Sequence, residues 1–415
     1  MMNDTITQLP TTRLGSRYWR LWTASTISNL GDGMFLVALP LLAARTTDSS
    51  VEVALVTAFS MLPWLFISLH AGAIVDRSDK RKLMITGDTF RGSLVALLAI
   101  LVAVDAVQIW MLWVIALCLG VAEVFFDNAA QAILPSVVDP QLLEKANGRR
   151  YSAEMTANIF LGTPLGGALF AVAVWLPFGV DAVSYLAAAM LVVPLRGSFK
   201  TEADPSRSET TLSEEVRQGF RWLWSSRILR GMATALALTN LGLGMTPGLF
   251  ILYVREELGV GEAWYGAMLG IMAVGGITAG LVGERIIVRL GKIGTLYAMA
   301  FVWVIVMATI GLVPVLAVVL VAETIGVFAV TLWNIGTVSL RQQLVPSEIF
   351  GRVNSVYRWF AWGALPIGAV IGGVIAQNSN QRMPYLAAAA VIGVGILVMS
   401  RSVTTATLAE AGGTN

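Results

Sequence analysis

Apolar stretches close to twenty residues long, separated by short charged connections, run almost end to end through this chain of 415 residues. Nothing else in the sequence restricts the fold as strongly. A hydrocarbon core about 30 Å thick is crossed by roughly 20 apolar helical residues, because only an internally bonded backbone survives there. Spans are predicted at 18–44, 53–75, 83–104, 109–135, 153–176, 179–197, 228–254, 263–289, 293–313, 315–340, 355–377 and 383–400. Charged residues make up only 13% of the chain, against roughly 25% in soluble domains. A water-soluble globule of this size would lack polar surface. The expected class is an all-α membrane protein with twelve transmembrane helices.

Lysine and arginine set the expected orientation. With both termini in the cytoplasm, Arg45, Arg255 and Arg382 are the basic residues that fall outside, Arg91 lies within a span, and the rest are inside. That is the asymmetry of the positive-inside rule. The reverse topology would carry Arg77, Lys80, Arg81 and Lys82 to the wrong side. The first sixteen residues are polar and lack the layout of a cleaved signal, so the first span is expected to be retained.

The longest polar stretch, 198–227, divides the chain near its middle. Residues 1–197 and 228–415 are expected to form two six-helix bundles joined by a cytoplasmic linker. Leu212, Val216, Phe220 and Leu223 recur at helical spacing opposite Glu214, Arg217 and Arg221. This predicts an amphipathic helix on the inner membrane face, or alternatively an ordinary soluble loop helix.

Several chemistries are excluded. The one cysteine, Cys118, allows no internal disulfide, and the one histidine, His70, leaves no Cys/His metal site. No phosphate-cradling G-x-x-x-x-G-K-[ST] loop is present, so ATP hydrolysis is not expected. No enzymatic constellation is found, and the net charge of +2 is too small to suggest nucleic acid. No cofactor is expected, and the chain is expected to act as a monomer.

Internal repetition at an offset of about 206 to 211 residues organises the rest. Ser28-Asn-Leu-Gly-Asp-Gly-Met34 is echoed by Thr239-Asn-Leu-Gly-Leu-Gly-Met245. Gly72-Ala-Ile-Val-Asp76-Arg77 returns as Gly280-Leu-Val-Gly-Glu284-Arg285, and Lys145-Ala-Asn-Gly148 as Arg352-Val-Asn-Ser355. Gly166-Gly167 matches Gly372-Gly373. Parallel halves with an even number of spans are the construction of many secondary transporters, with the substrate site between the halves.

On these residues the chain resembles the major facilitator superfamily over essentially its whole length. The most specific element follows the second span, where the family pattern is G-x-x-x-D-R-x-G-R-[RK]. Here it reads Gly72, Asp76, Arg77, Asp79, Lys80, Arg81, with Asp79 replacing a glycine; aspartate also tolerates left-handed geometry. The degenerate second copy is Gly280, Glu284, Arg285. The resemblance implies a cytoplasmic gate here, in which the acid caps a neighbouring helix and the bases bind carboxylates or lipid headgroups. The bland alternative is that these charges only enforce orientation.

Gly162, Pro164, Gly166 and Gly167 in the fifth span resemble the G-P-x-x-G-G element of proton antiporters, with the proline displaced by one; generic close packing is the alternative. Leu62-Pro-Trp-Leu, Asp76-Arg77 and Ala132-Ile-Leu-Pro-Ser136 look like bacterial drug, macrolide and siderophore exporters. That likeness implies a multi-pass protein of the bacterial inner membrane.

Charges inside spans mark where chemistry is expected, since an ionised side chain at mid-bilayer costs at least about 2.5–3.5 kcal/mol. Asp32 lies near the middle of span one, Asp88 and Arg91 share a face of span three, and Glu123 and Asp127 share a face of span four. Glu323 lies in the outer part of span ten. By the resemblance, spans one, four, seven and ten line a central cavity, so Asp32, Glu123, Asp127 and Glu323 would face the transport path. Arg91 is expected to neutralise Asp88 or Asp127, and a purely structural Asp88–Arg91 pair is the alternative. For Asp127 the alternative is a helix-packing hydrogen bond, and His70 reads as a helix-contact residue or a proton relay. The repeat partner of Asp32 is Leu243, so packing alone does not demand an acid there. Phe35, Phe125, Phe126, Met245 and Trp333 flank these acids and are candidates for an apolar pocket or for ordinary packing.

The expected function is proton-antiport efflux of amphipathic, cationic compounds by alternating access, with a small-molecule substrate, protons and the lipid bilayer as partners. The alternative is a dedicated exporter or importer of one metabolite, such as a siderophore. A transport-dead sensor would be expected to have lost its intramembrane acids.

Overall fold

The computed structural model describes residues 14–410, apart from 68–69, 72–73, 76–77, 196, 198, 200–211, 262–263 and 346–348. Among the described residues the chain is helical, without a strand. The N-terminal half contains α1 (Ser16–Thr46), α2 (Ser50–Phe66), α3 (Lys80–Ala103), α4 (Ile109–Ile133), α5 (Leu143–Met155), α6 (Thr163–Val172) and α7 (Leu176–Val192). Helix α8 (Leu212–Ser225) precedes α9 (Arg227–Gly244), α10 (Phe250–Glu256), α11 (Tyr265–Leu312), α12 (Leu316–Leu344), α13 (Phe350–Gln377) and α14 (Met383–Ser400), with a short α15 (Thr405–Glu410) at the end.

Eight segments are long and apolar enough to cross a membrane, and the shorter apolar helices Ser50–Phe66, Leu176–Val192 and Trp362–Gln377 stand among them. The 48-residue α11 departs from helical dihedrals at Gly291, φ 71° and ψ 164°, so it contains both the eighth and the ninth predicted spans. The layout is consistent with twelve traverses.

Local chemistry sets the breaks. Ser49 and Ser226 cap α2 and α9 by accepting from the amides of Glu52 and Leu229, which satisfies donors that a helix start leaves open. Asp79 caps α3 in the same way, accepting from Arg81 and Lys82, in extended backbone at φ −73°. The substituted position in the loop motif is therefore a helix cap, and no left-handed turn is needed there.

Proline shapes two spans. Pro247 opens a short 3₁₀ turn between α9 and α10, dividing the seventh span. A seven-residue π-helix, Thr156–Gly162, joins α5 to α6 directly before Pro164. Proline has no N–H and crowds the preceding turn, and a widened turn is one way a helix accommodates that. The fifth span also begins earlier than predicted, because the polar run Leu143–Met155 is itself helical.

Among the described residues the two halves meet at several helix contacts, including one between α2 and the turn Pro247–Leu249. Helix α2 packs against α13, α6 packs against α11, and α1 touches α10. Gly266 of α11 lies against Thr163 and Gly167, where a side chain would collide with backbone, and Gly270 lies against the Pro164 ring. At the end carrying the loop between spans one and two, Arg255 donates to the Ala44 carbonyl (2.9 Å), and the Ser50 amide donates to Gln377 (2.8 Å). Gln381 bridges Ser50 Oγ (2.9 Å) and Glu256 (3.1 Å). At the other end of the α2–α13 seam, Trp359 Nε1 donates to the Leu65 carbonyl (2.9 Å).

Helix α8 packs on α13: Arg352 donates to Gln218, and Phe220 and Trp224 stack together against Phe360. Phe220 and Trp224 stay 42% and 40% exposed, so the apolar face is shared between span eleven and the surroundings.

Candidate functional site

Four helices of the N-terminal half converge on one guanidinium. Arg91 is 3% exposed, hydrogen-bonds Asp88 one turn earlier on α3, and lies 4.0 Å from the Asp32 carboxylate of α1. Its two faces are covered by rings: Phe126 of α4 at 4.1 Å and Tyr185 of α7 at 4.4 Å from their centroids. A desolvated cation over an aromatic face gains energy from the ring quadrupole. The Tyr185 hydroxyl donates to Asp32 Oδ1, which ties α7 to α1.

Asp181, one turn before Tyr185, is fully buried beside this group, and Ser184 Oγ donates to it at 3.3 Å. The α1 backbone can come this close because Gly31 faces Asp181 and Ser184, while Gly33 faces the Asn158 carbonyl and Gly162. A side chain at either glycine would collide.

The carboxylates differ in access, which separates their roles. The Asp88 side chain is 1% exposed, and its Oδ2 has no hydrogen-bond partner. The Asp32 side chain is 29% exposed. Asp32 thus stands at the boundary between a buried charged cluster and open space. Glu123 is exposed and lies within electrostatic reach of Asp127, Asp32 and Arg91. Asp127 senses Arg91, Asp32 and the Arg150–Glu154 pair, whose separation is 3.6 Å. Five carboxyl groups therefore surround one buried arginine. Burial of unpaired charge is costly, and that cost falls on Asp88 and Asp181, the two of the five that are buried.

The other residues singled out from the sequence are distributed differently. Glu323 does not join this cluster; it lies in the C-terminal half, within electrostatic reach of Tyr253, Tyr265 and Tyr385. Phe35 packs edge to face on Phe178 (5.8 Å), and Phe125 packs beside the core that contains Phe126. Met245 is buried against Gly372, so the structure places it in packing between spans seven and eleven. Trp333 lines a separate cavity in the C-terminal half. Gly162 and Gly166 face α1, whereas Pro164 and Gly167 face α11, so the fifth-span motif serves two helix contacts at once.

Gly72, Asp76 and Arg77 lie outside the described residues. Arg81 bonds the Val192 and Val193 carbonyls at the end of α7, within its own half, and Lys80 is buried at 3% exposure. Gly280 has open space around it, and Glu284 and Arg285 are exposed, as is His70.

Asp181 and Tyr185 were not candidates on sequence grounds. Asp181 stands near the predicted start of span six, where an acid reads as interfacial; the usable signal is an acid and a phenol one helical turn apart on an otherwise apolar helix.

The family model described as transmembrane secretion effector matches residues 14–411, nearly the whole described chain. The chain belongs to that family, within the major facilitator superfamily. It is a membrane transporter and not an enzyme. Among relatives of this secretion effector family, a "Multidrug efflux pump Tap" of Mycolicibacterium fortuitum is 27% identical over 386 residues, covering 88% of this chain and 90% of the relative. "Macrolide efflux protein A" of Streptococcus pyogenes is 21% identical, covering 87% of this chain and 90% of the relative. A bacterial homologue of the iron transporter ferroportin, solved in an inward-facing state, superposes with a TM-score of 0.72 at 17% identity, covering 93% of this chain and 98% of that one. The last comparison speaks to the fold alone.

Proposed function

We propose that the chain exports amphipathic, cationic compounds from a bacterial cell in exchange for protons. The observation that carries this reading is the position of Asp32. Its carboxylate is held by Tyr185, lies 4.0 Å from Arg91 and remains 29% exposed. A group so placed can take a proton or a substrate ammonium from the open side and pass the electrostatic consequence to the buried Asp88–Arg91–Asp181 cluster. Proton and cation compete for one negative site, which yields exchange without a second device. A proton entering down the membrane potential supplies about 2.3 kcal/mol per 100 mV. The relatives named as multidrug and macrolide efflux proteins support the drug-efflux part of this reading.

In this reading the two six-helix bundles, 1–197 and 228–415, rock about the α2–α13 and α6–α11 seams. The hydrogen bonds of Ser50, Arg255, Gln377 and Gln381 close the external end, and both termini lie in the cytoplasm, as the distribution of lysine and arginine indicates. Asp76 and Arg77 act as the cytoplasmic latch in the opposite state.

The test is proton flux in liposomes holding the purified protein, driven by addition of each compound in a panel of cationic, neutral and anionic amphiphiles. Cationic amphiphiles should release protons from the wild type and none from Asp32→Asn. Proton release that tracks an anionic iron chelator instead would move the reading to a dedicated siderophore carrier.

A further inference from the structure

Helix α8 packs one strip against the protein and leaves the neighbouring strip open. Val216, Gly219 and Leu223 share the packed side, with Leu223 fully buried and Gly219 set against the Arg352 backbone. Arg217, Phe220, Arg221 and Trp224 follow one another at i, i+3, i+4 and i+7, so they form a single strip beside it. All four are exposed, and the rings of Phe220 and Trp224 lie stacked with centroids 5.2 Å apart. A third arginine joins them. Arg230 of α9 is exposed and donates to the Trp224 carbonyl near the end of α8 (3.2 Å).

Charge and position together select what covers this strip. Among the described residues no carboxylate comes within 4.0 Å of Arg217, Arg221 or Arg230, and Glu214, two turns before Arg221, pairs with none of them at that distance. Three guanidiniums beside one pair of rings therefore have no counter-charge among the described residues. Helix α8 also runs into α9 with only Ser226 between them, so the strip ends where the seventh span begins. It lies at the level of the bilayer surface. Rings there enter the headgroup boundary, and arginines beside them meet lipid phosphates, which a guanidinium can bind through two N–H groups. Orientation alone requires basic residues in this connection, but not their alternation with rings along one open strip.

We propose that Arg217, Phe220, Arg221 and Trp224, with Arg230, bind the headgroup of an anionic phospholipid of the inner leaflet. The choice of leaflet rests on the cytoplasmic placement of the linker in the reading above; the site itself does not. A lipid held here fixes α8 to the membrane surface. Through the contacts of Phe220 and Trp224 with Phe360, it also fixes the start of span eleven.

The experiment places the full-length protein in phosphatidylcholine nanodiscs with increasing amounts of a photoactivatable phosphatidylglycerol, and maps the crosslinked peptides. Crosslinks should gather on the peptide carrying 212–230. Unlabelled phosphatidylglycerol should displace them, while added phosphatidylcholine or free glycerol phosphate should not, and raised salt should weaken them. Arg217→Gln and Arg221→Gln should each raise the phosphatidylglycerol needed for half-saturation about five-fold, and the double variant roughly twenty-fold. Both positions are exposed, so these variants should fold, and a monodisperse size-exclusion profile checks it. Arg289→Gln removes an equal charge from another exposed position and should leave half-saturation unchanged. An unaltered crosslink in the double variant, or an equal loss in Arg289→Gln, would overturn the site and reduce the effect to general attraction toward a basic face. Displacement by free glycerol phosphate would make it an anion site open to water rather than a lipid site. Absence of crosslinks on this peptide would also overturn it and leave the strip to a soluble acidic partner. No substrate or proton gradient enters the measurement, so failure of the efflux reading leaves the result standing, and a reversed orientation would change the leaflet but not the site.

Discussion

Replacing Arg91 by alanine should do more harm to the fold than any other single change in the N-terminal bundle, and the structure says where the harm lands. The variant loses the hydrogen bond to Asp88, the 4.0 Å attraction to Asp32 and two ring faces at 4.1 and 4.4 Å. Removing one partner of a buried ion pair costs about 3–5 kcal/mol, chiefly because the other charge is stranded. The lost ring contacts add about 1 kcal/mol. Against a total stability of about 5–15 kcal/mol this is a large fraction. The stranded group is Asp88, 1% exposed and already short of a partner at Oδ2. Asp32 is 29% exposed and keeps the Tyr185 hydroxyl, so its own carboxylate remains solvated. Adding Asp88→Asn to Arg91→Ala should therefore recover about 2 kcal/mol, whereas adding Asp32→Asn should recover little. Thermal unfolding in detergent, followed by the monodisperse fraction on size exclusion, reads the ranking: wild type, then the Asp88 double variant, then the Asp32 double variant and Arg91→Ala together. If Arg91→Ala matches the wild type, or if Asp32→Asn rescues better than Asp88→Asn, Asp88 is not the principal partner of Arg91.

Other outcomes follow from the same geometry. Asp32→Asn should retain expression and part of its drug binding while losing uphill export and substrate-induced proton release; proton-coupled export at the parental rate would shift the proton site to Glu123 and Asp127. Gly33→Ala places a methyl group against the Asn158 carbonyl and should lower the unfolding midpoint and slow transport, while Gly280→Ala, which meets open space, should do neither. Gln381→Leu removes the bridge between Ser50 and Glu256; in a Cys118→Ser background, a cysteine introduced near Ser50 should react faster with a membrane-impermeant maleimide applied from outside, and unchanged labelling would show that this network does not hold the end closed. Asp76→Asn should insert and fold normally but turn over more slowly, and an unaltered transport rate would leave orientation as the role of that loop.

Much of this was legible in the residues. The spans followed from apolar length alone, and Asp32, Asp88 and Arg91 followed from the cost of charge inside them. What resisted reading was pairing across helices. Sequence spacing brought Asp88 to Arg91, three residues away, but offered both Asp88 and Asp127 as partners; Asp127 makes no ion pair with Arg91 at 4.0 Å or less among the described residues. Asp181 and Tyr185 reach Asp32 only because α7 packs on α1 at Gly31, a tertiary fact that periodicity does not carry. Glu323 was legible as an acid inside a span, but its neighbours were not: it lies within electrostatic reach of Tyr265 and Tyr385, which come from other helices. The amphipathic pattern of α8 announced a helix correctly and left open what would cover it. Phe360, more than a hundred residues away, answered that.

The turn at Gly291 has a mechanical consequence. The eighth and ninth spans are separated by a single residue of non-helical dihedrals, so no slack exists between them. Gly266 and Gly270, near one end of this hairpin, press on the fifth span of the opposite half, while Ala300 and Trp303, on its other arm, form part of the wall of the cavity that Trp333 lines. In the alternating-access cycle proposed above, a displacement where the halves slide past each other would be delivered to the cavity wall, as a crank delivers motion. Lengthening that turn with a few flexible residues would leave every contact of the resting structure in place and uncouple the stroke from the load.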